Sequence, residues 1–227
     1  MEHVLDRPAW MALTSRQSGL AVGDGQALRF DPDHGLFAGA ADGSAEALAA
    51  LAALVPAEGG IATVEATGPV SVPGAVGVTH NVWQMVMAGG LAPAPAPDFE
   101  ILDLTEADAP RMLALATLTE PGPFFARTHR LGDFVGVKAP DGTLIAMAGE
   151  RMKPVGFTEV SGVCTHPGHR GRGYAGALMR VVAGRILARG ETPFLHSYAH
   201  NTGAIALYQA LGFSLRREMT MTMLTRG

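Results

Sequence analysis

The sequence predicts an α/β (α+β) protein with a mixed central sheet flanked by helices and an additional, smaller N-terminal α/β domain. Three observations lead to this prediction. Of the 227 residues, 48% are hydrophobic and 17% are charged, which is enough apolar material for one or two globular cores. Segments with strand-like and helix-like apolar spacing alternate along the chain. Residues 92–98 alternate alanine with proline, which predicts an extended linker between a domain at 1–91 and a domain at 99–227.

Composition and charge exclude several classes of protein. No apolar run of about 18 residues is present, and the first residues lack the apolar core of a signal peptide, so we expect a cytoplasmic protein with no membrane partner. Residues 1–98 hold 3 basic and 10 acidic side chains (−7), and residues 99–227 hold 14 and 11 (+3), which together give −4. This balance is too weakly basic for a nucleic-acid partner. The single cysteine, Cys164, cannot form an intramolecular disulfide.

The predicted N-terminal domain contains one helix and three short strands. Ser44 is a favourable N-cap for a helix over residues 44–55, because serine side chains accept hydrogen bonds from the first amides of a helix. The predicted strands cover residues 27–30, 61–66 and 78–87. His34 and His80 are isolated in this region, so no catalytic group of residues is expected there.

The predicted C-terminal domain alternates strands and helices in a longer series. Its predicted elements are a strand at 99–104, a helix at 108–119, a hairpin at 134–138 and 144–152, a strand at 157–165, a helix at 174–189, a strand at 193–199, a helix at 201–211 and a strand at 218–224. Gly190 and Gly212 follow the last two helices, as is typical of helix C-termini.

A glycine-rich turn lies between the predicted strand 157–165 and the helix 174–189. Residues 169–175 have the sequence His-Arg-Gly-Arg-Gly-Tyr-Ala. Amides at a helix N-terminus have no intrahelical partner, and together with the helix dipole they favour a phosphate or pyrophosphate group. The alternative is a tight turn in which the glycines only permit the backbone conformation.

The same glycines also match a dinucleotide-binding pattern, which leaves a nicotinamide-dependent oxidoreductase as an alternative. Gly171, Gly173 and Gly176 have the required spacing, and Glu191 follows Gly171 by 191 − 171 = 20 residues. In a dinucleotide fold, however, the acidic residue ends the second strand, whereas Glu191 precedes the strand that it would have to end. The context therefore disfavours this alternative.

The order of motifs in residues 99–227 resembles the GNAT superfamily of acyl-CoA-dependent N-acyltransferases. The sequence Arg-Gly-Arg-Gly-Tyr-Ala at 170–175 follows a strand, and Asn201 and Tyr208 lie in a later helix. The stretch 192–213 is most similar to the branch that includes the C-terminal domain of glycine N-acyltransferase. Residues 1–91 lie outside this resemblance and could be a degenerate companion copy of the GNAT-like fold.

The resemblance implies a donor, an acceptor class and cofactor-binding residues. The donor would be acetyl-CoA or another short acyl-CoA, and the acetyl group would pass directly to a primary amine in a small molecule, an amino acid or a peptide, without a metal. A homodimer is compatible with this reaction. The amides of the loop would bind the CoA pyrophosphate, and the preceding strand would lie along the pantetheine; the residues implied are Val163, Thr165, Arg170, Gly171, Arg172, Gly173, Tyr174 and Ala175.

Two further residues complete the predicted site around Asn201. Asn201 is the expected N-cap of the helix 201–211. Tyr208 follows it by seven residues, close to two helical turns, so both side chains face one side of the helix, where the cofactor is expected to contact them. Tyr208 is the expected proton donor to the CoA thiolate, and the alternative is a core aromatic residue. Glu159 resembles the strand glutamate of the histone-acetyltransferase branch and is the expected general base, with an exposed strand acid as the alternative. A catalytically silent acyl-CoA-binding sensor is the main rival function.

Other reactive side chains have simpler explanations. Cys164 and His166 share a strand face, yet a lone cysteine is usually a small buried hydrophobic residue. The histidines have no accompanying carboxylates at metal-ligand spacing, so no metal site is expected. The loop 121–125 and Arg127 are expected near the acceptor, and His129 is an alternative base.

Overall fold

The computed structural model describes residues 3–227 and contains two sheets and five α-helices. The large sheet has eight strands in the order β4 (Ile61–Glu65), β11 (Ser214–Arg226), β5 (Ala75–Val86), β10 (Thr192–Tyr198), β9 (Phe157–Thr165), β8 (Leu144–Glu150), β7 (Phe134–Lys138) and β6 (Leu102–Leu104). The small sheet contains β1 (Ala21–Gly23), β2 (Ala27–Phe30) and β3 (Ala38–Ala40). The helices are α1 (Pro8–Leu13), α2 (Ala45–Ala53), α3 (Ala109–Thr119), α4 (Tyr174–Ala188) and α5 (Thr202–Leu211). This architecture confirms the predicted mixed sheet flanked by helices.

Strands from both sides of residues 92–98 share the large sheet. β5 pairs antiparallel with β10 on one side and with β11 along its whole length on the other. The residues from 93 to 97 are exposed and belong to no helix or strand, as an alternating Ala-Pro segment predicts. The division into domains at 92–98 stays a prediction, but the hydrogen bonding of the sheet does not stop there.

Helices cover the two faces of the sheet. Leu178, Met179 and Ile186 of α4 are fully buried in a cluster with Val135 and Leu195 of the sheet. On the other side, α3 contributes to a separate cluster with β7 and β8. Each fully buried large apolar side chain contributes about 1.5–3 kcal/mol of transfer free energy, so α4 is a main contributor to this core. Among the described residues, none of the helices combines the length and hydrophobicity needed to span a bilayer.

The N-terminal region confirms α2 and adds elements that the sequence did not predict. Ser44 caps α2 by accepting a hydrogen bond from the amide of Ala47. The helix α1 and the strands β1 and β3 were missed, since each has three to six residues, too few to show a period. Arg7 holds this region to the large sheet through an ion pair of 3.0 Å with Glu65.

Several element boundaries differ from prediction, those of β11 and β6 among them. β11 begins at Ser214 and ends at Arg226, longer than the predicted 218–224, because it pairs with β5 and β4 on its two sides. The predicted strand 99–104 shortens to Leu102–Leu104, since only these residues pair with β7. Sequence patterns identify which segments are strands, whereas the partner strands decide where they end.

Candidate functional site

A cleft opens where the parallel strands β9 and β10 separate. Their pairing extends from Phe157 opposite Thr192 to Glu159 opposite Phe194, and within residues 3–227 no pair follows towards the carboxyl ends. The starts of α4 and α5 line the space between the separated strands, which has a volume of about 620 Å³. An elongated ligand can therefore lie between the two strands and reach the N-terminus of α4.

The glycine-rich loop lines this cleft with open backbone. Gly171 and Gly173 both have a φ of 78°, a conformation that favours glycine, and Gly173 is the N-cap of α4. A Cβ atom built on either glycine meets no atom within 4 Å, so the space before them is open. The amides of Tyr174 and Ala175 have no acceptor among residues 3–227. The loop therefore has the geometry of an anion site at a helix N-terminus.

The structure brings the sequence-predicted cofactor residues together in one place. Those that line the cleft are Val163, Thr165, Arg170, Gly171, Arg172, Gly173, Tyr174, Ala175, Asn201 and Tyr208. The loop is anchored at its end, because the ring of Tyr174 packs edge to face on Phe99 with 4.7 Å between centroids. It is anchored at its start by Arg170, whose Nε lies 3.5 Å from the carbonyl oxygen of Thr165.

A β-bulge in β9 shapes the wall of the cleft. Between the pairs Ser161–Gly149 and Cys164–Met147, two residues of β9, Gly162 and Val163, face a single residue of β8. Gly162 has a φ of 62°, and a Cβ atom there would lie 2.9 Å from a ring carbon of Phe134. Glycine is thus required at this point. Bulges re-aim the following side chains, and Val163 lines the cleft.

A second, smaller cavity of about 140 Å³ adjoins the cleft, and Asn201 and Tyr208 line both. Asn201 is the N-cap of α5, since its Oδ1 accepts a hydrogen bond from the amide of Ala204 at 3.4 Å. The ring of Tyr208 packs edge to face on Phe213, and burial raises the pKa of the Tyr208 hydroxyl. This hydroxyl stays protonated at neutral pH and can donate a proton at the junction of cleft and cavity.

Glu159 lies beneath the second cavity and is fully buried. Its two oxygens accept hydrogen bonds of 2.8 Å from Nε and Nη2 of Arg151, and one also accepts from Nδ1 of His196 at 2.8 Å. Burial alone would raise the pKa of Glu159, but the charge and hydrogen bonds of Arg151 together with His196 lower it to about 2. Both carboxylate oxygens are therefore engaged by protein groups, and the side chain has no exposed surface.

The surrounding hydrogen bonds also assign donor and acceptor roles to the ring nitrogens of His196. Gln84 is fully buried, its Oε1 accepts from Arg216 at 2.7 Å and its Nε2 donates to the carbonyl oxygen of Leu5 at 2.8 Å. The amide orientation of Gln84 is thereby determined, and Nε2 of Gln84 lies 3.1 Å from Nε2 of His196. Because an amide nitrogen only donates, His196 accepts at Nε2 and donates from Nδ1 to Glu159. Both ring nitrogens are therefore engaged by protein groups.

Several other candidates lie outside the site or have structural partners. Burial raises the pKa of the Cys164 thiol to about 11, so it is not a thiolate at neutral pH. His166 accepts a hydrogen bond from the amide of Gly168 and caps its own turn. Within residues 3–227 no group of three or more metal-ligating side chains is found. Glu191 lines neither the cleft nor the second cavity and pairs instead with Arg16 at 2.9 Å, which agrees with the sequence context that disfavoured the dinucleotide alternative.

The acceptor-side expectations are met only in part. Residues 121–123 line the second cavity, and the first two of them also line the cleft. Arg127 lies outside both and is 3.7 Å from Asp33. His129 also lies outside both, with its Nε2 2.9 Å from a carboxylate oxygen of Glu106, so it is not positioned as a base.

The sequence did not identify the residues that build most of the second cavity. Phe37, Val64 and Val82 come from the region before residue 92, and Arg151 and His196 lie in the C-terminal region. Gln84 does not line the cavity but contacts His196, and it carried a signal, since a glutamine among the otherwise apolar residues 82–86 indicates a buried polar contact. Phe37, Val64 and Val82 are apolar residues whose shared cavity depends on strand order.

Comparisons with known proteins give consistent findings. Residues 135–222 match the family described as FR47-like protein. The chain is 46% identical to a protein from Novosphingobium aromaticivorans DSM 12444 assigned to the GNAT acetyltransferases, over 100% of both chains with a TM-score of 0.90. A GCN5-related N-acetyltransferase from Kribbella flavida shares the fold at 20% identity, over 97% of this chain and 96% of that chain with a TM-score of 0.66. Comparison with curated proteins gives no significant match.

The whole-chain match changes one expectation from the sequence. The resemblance was expected for residues 99–227 alone, but the Novosphingobium protein matches from end to end. The restriction to the C-terminal region is therefore not confirmed. The glycine N-acyltransferase branch stays a prediction, since none of these matches distinguishes it.

Proposed function

Because this chain belongs to the GNAT family and is therefore a transferase, we propose that it transfers the acetyl group of acetyl-CoA directly to a primary amine. N-acyltransferase activity in general follows from the family; the donor, the acceptor and the residue roles are the proposal. The observation that carries it is the open loop of unpaired amides at the start of α4, which shares one cleft with Tyr208.

The donor side of the proposal rests on the loop. The amides of residues 170–175 would bind the pyrophosphate, and each favourable charge at a helix N-terminus contributes about 0.3–1 kcal/mol, more when partly buried. Arg170 and Arg172 line the same cleft and can pair with phosphate oxygens. The open space at Gly171 and Gly173 fits a group that must approach the backbone closely.

The remainder of the donor would follow β9 towards the second cavity. Val163 and Thr165 line the cleft between the loop and Tyr208, so pantetheine lying along them would carry the thioester to the junction. Asn201 faces the same junction from the start of α5. This direction leaves the second cavity for the acceptor.

The transfer step needs two proton movements. The lone pair of the neutral amine attacks the thioester carbon, the C–S bond breaks, and the CoA thiolate takes a proton from the Tyr208 hydroxyl. The attacking nitrogen loses one proton, which returns through water to Tyr208. The products are the N-acetylated amine and CoA thiol, and no covalent acyl-enzyme forms.

Glu159 and His196 have a positioning role in this proposal. Glu159 holds the Arg151 guanidinium by two hydrogen bonds and fixes the ring of His196, and these two residues line the acceptor cavity. Since Glu159 has no free oxygen, the amine proton leaves to water instead of to this carboxylate. The predicted base is thus assigned to the support of the cavity.

Ligand-induced stabilisation and thiol release test the proposal. Acetyl-CoA should raise the melting temperature and NADH should not, because only a ligand of the native state stabilises it. Thiol release should then appear with at least one member of a panel of amines, amino acids and peptides. Stabilisation by acetyl-CoA with no thiol release from any acceptor would indicate a silent acyl-CoA sensor. Stabilisation by NADH alone would contradict the donor assignment.

A further inference from the structure

The second cavity is a binding site whose ligand can be derived from its lining. Resting on the proposed transfer reaction, we propose that it receives an amine carrying a compact apolar side chain and an oxygen atom next to the amino group. An amino acid and the first residue of a peptide share this chemistry. Phe37, Val64, Val82 and Arg151 would determine the specificity.

The apolar wall comes from elements that are distant in sequence. Val64 of β4 pairs across the sheet with Met221 of β11, and Val82 of β5 pairs with Met219 of the same strand. Phe37, Val64 and Val82 are buried, and together with Met221 they line the cavity. Such a wall favours a hydrocarbon group, and the volume of about 140 Å³ limits it to a small one.

The unpaired Nη1 group of Arg151 offers hydrogen-bond donors to this cavity. Its Nε and Nη2 are bound to Glu159, and its Nη1 has no partner among residues 3–227. The guanidinium is held in place because its central carbon lies 4.5 Å above the ring of Phe37. A fixed, unpaired N–H group in a mostly apolar cavity selects a ligand with an oxygen at that position. A carboxylate and a carbonyl oxygen can both meet this requirement.

A second ammonium group on the acceptor would be unfavourable here. Within the described chain no carboxylate lines this cavity, and Glu159 beneath it is already bound by Arg151 and His196. The nearest side-chain charge is therefore that of a cation. Diamines such as free lysine, whose second amino group stays protonated, are accordingly disfavoured as acceptors.

Acceptors of matched shape test the oxygen requirement. Valine, valinamide and isobutylamine share one branched side chain. Valine carries a carboxylate next to the amine, valinamide carries a carbonyl oxygen there, and isobutylamine carries neither. Nα-acetyl-lysine represents a side-chain amine. Rates are compared per concentration of neutral amine, so that differences in amine pKa do not contribute. We expect kcat/KM at least tenfold higher for valine or valinamide than for isobutylamine and Nα-acetyl-lysine. Equal values for valine, valinamide and isobutylamine would overturn the role of Arg151.

Variants test the same assignment from the protein side. Arg151→Lys keeps the charge but removes the forked donors, so it should reduce the preference for the oxygen-bearing amines to below threefold. Val82→Ala enlarges the cavity and should raise the kcat/KM ratio of leucine to valine, or of their amides, about tenfold, since one methylene changes discrimination by about this factor. Val135→Ala is the matched control, because Val135 is equally buried in the sheet but lines neither cavity.

The outcomes separate this proposal from the reaction on which it rests. Suppose that thiol release depends on amine but that the leucine-to-valine ratio of kcat/KM is the same in Val82→Ala and Val135→Ala. This result overturns the cavity assignment and leaves the proposed reaction intact. No thiol release from any amine removes both. Because the ratio in Val82→Ala is measured in a variant that keeps Arg151, a folding failure of Arg151→Lys does not decide the result.

Discussion

The cleft at the glycine loop and the cavity beside it are built from different parts of the molecule. Most residues of the cleft belong to one short segment and the strand before it, and four of its lining residues are glycines. The cavity is lined by residues of β4, β5, β9, β10 and β11, together with Phe37 before β3 and Arg151 after β8. A continuous segment can carry a motif, whereas a surface made from many separate segments cannot. The proposed acyl donor would bind in the cleft, which is built mainly from one segment, and the proposed acceptor would bind in the cavity, which is built from several.

The hydrogen bonding of polar groups also differs between the cleft and the cavity. The loop at Gly171 and Gly173 has amides without protein partners. Beneath the cavity, Glu159, Arg151, His196 and Gln84 are linked by hydrogen bonds of 2.8–3.1 Å and are almost completely enclosed. The cleft therefore keeps binding capacity for a ligand, whereas the network uses most of its own for stability and orientation and leaves Nη1 of Arg151 unpaired.

The largest effect is expected from breaking this network. Arg151→Met leaves the buried carboxylate of Glu159 without its main partner, which should reduce the free energy of unfolding by about 3–5 kcal/mol. Urea denaturation followed by circular dichroism measures this loss. The double variant with Glu159→Leu removes both charges and should recover most of it. A loss below 1 kcal/mol would mean that the pair is hydrated, contrary to its burial.

Acid titration should show the same network without a mutation. The pKa of Glu159 in the folded protein, about 2, lies below its ordinary value of 4.5, so the carboxylate stabilises the native state above about pH 4.5. That contribution of about 3 kcal/mol is lost as the pH falls from about 4.5 to 2. Unfolding free energies across this range should decline less steeply in Glu159→Gln. Parallel curves for the two proteins would remove Glu159 as a source of the acid sensitivity.

Tyr208 is tested at the junction of the two regions. Tyr208→Phe keeps the ring and its packing on Phe213 but removes the proton donor, so kcat should fall by about 10²-fold. Acetyl-CoA binding, followed by calorimetry, should change little. An unchanged kcat under conditions where chemistry limits the rate would assign Tyr208 to packing alone.

Matched glycine variants at the two ends of α4 test the backbone character of the cleft. Gly173 and Gly190 have φ values of 78° and 76°, and neither has an atom within 4 Å of a built Cβ. Alanine at either position should cost about 1 kcal/mol of stability through the same strain. Only Gly173→Ala should also weaken acetyl-CoA binding, by about tenfold in Kd. Equal binding by both variants would contradict the pyrophosphate assignment.

The smallest effect is expected from Glu159→Gln on the pH dependence of the reaction. A base that contacts the amine would leave a rate deficit that shrinks as the pH rises towards the pKa of the acceptor. A positioning carboxylate leaves a deficit of less than about tenfold that is constant between about pH 6.5 and 9.5. The ratio of variant to wild-type rates at each pH, with folding checked, distinguishes the two. A ratio that rises with pH would restore Glu159 as the base.

The sequence by itself determined the local features of this protein. Ser44 and Asn201 cap α2 and α5 as predicted, and β7 and β9 have the predicted bounds, since caps and alternating apolar residues act within a few positions. The loop at 170–175 was found for the same reason. A glycine conformation and the free amides at a helix start are properties of neighbouring residues.

The tertiary structure alone decided how the two regions meet. The insertion of β5 between β10 and β11 brings Val82 to the cavity and Gln84 to His196, and no pattern in residues 75–86 specifies that position. Sequence reasoning likewise expected Glu159 to be accessible as a base, but its side chain is fully buried. Exposure depends on which strands lie beside a residue, and the sequence alone does not show this. Pairing between distant strands is decided by the burial of the whole sheet, and the second cavity depends on that pairing.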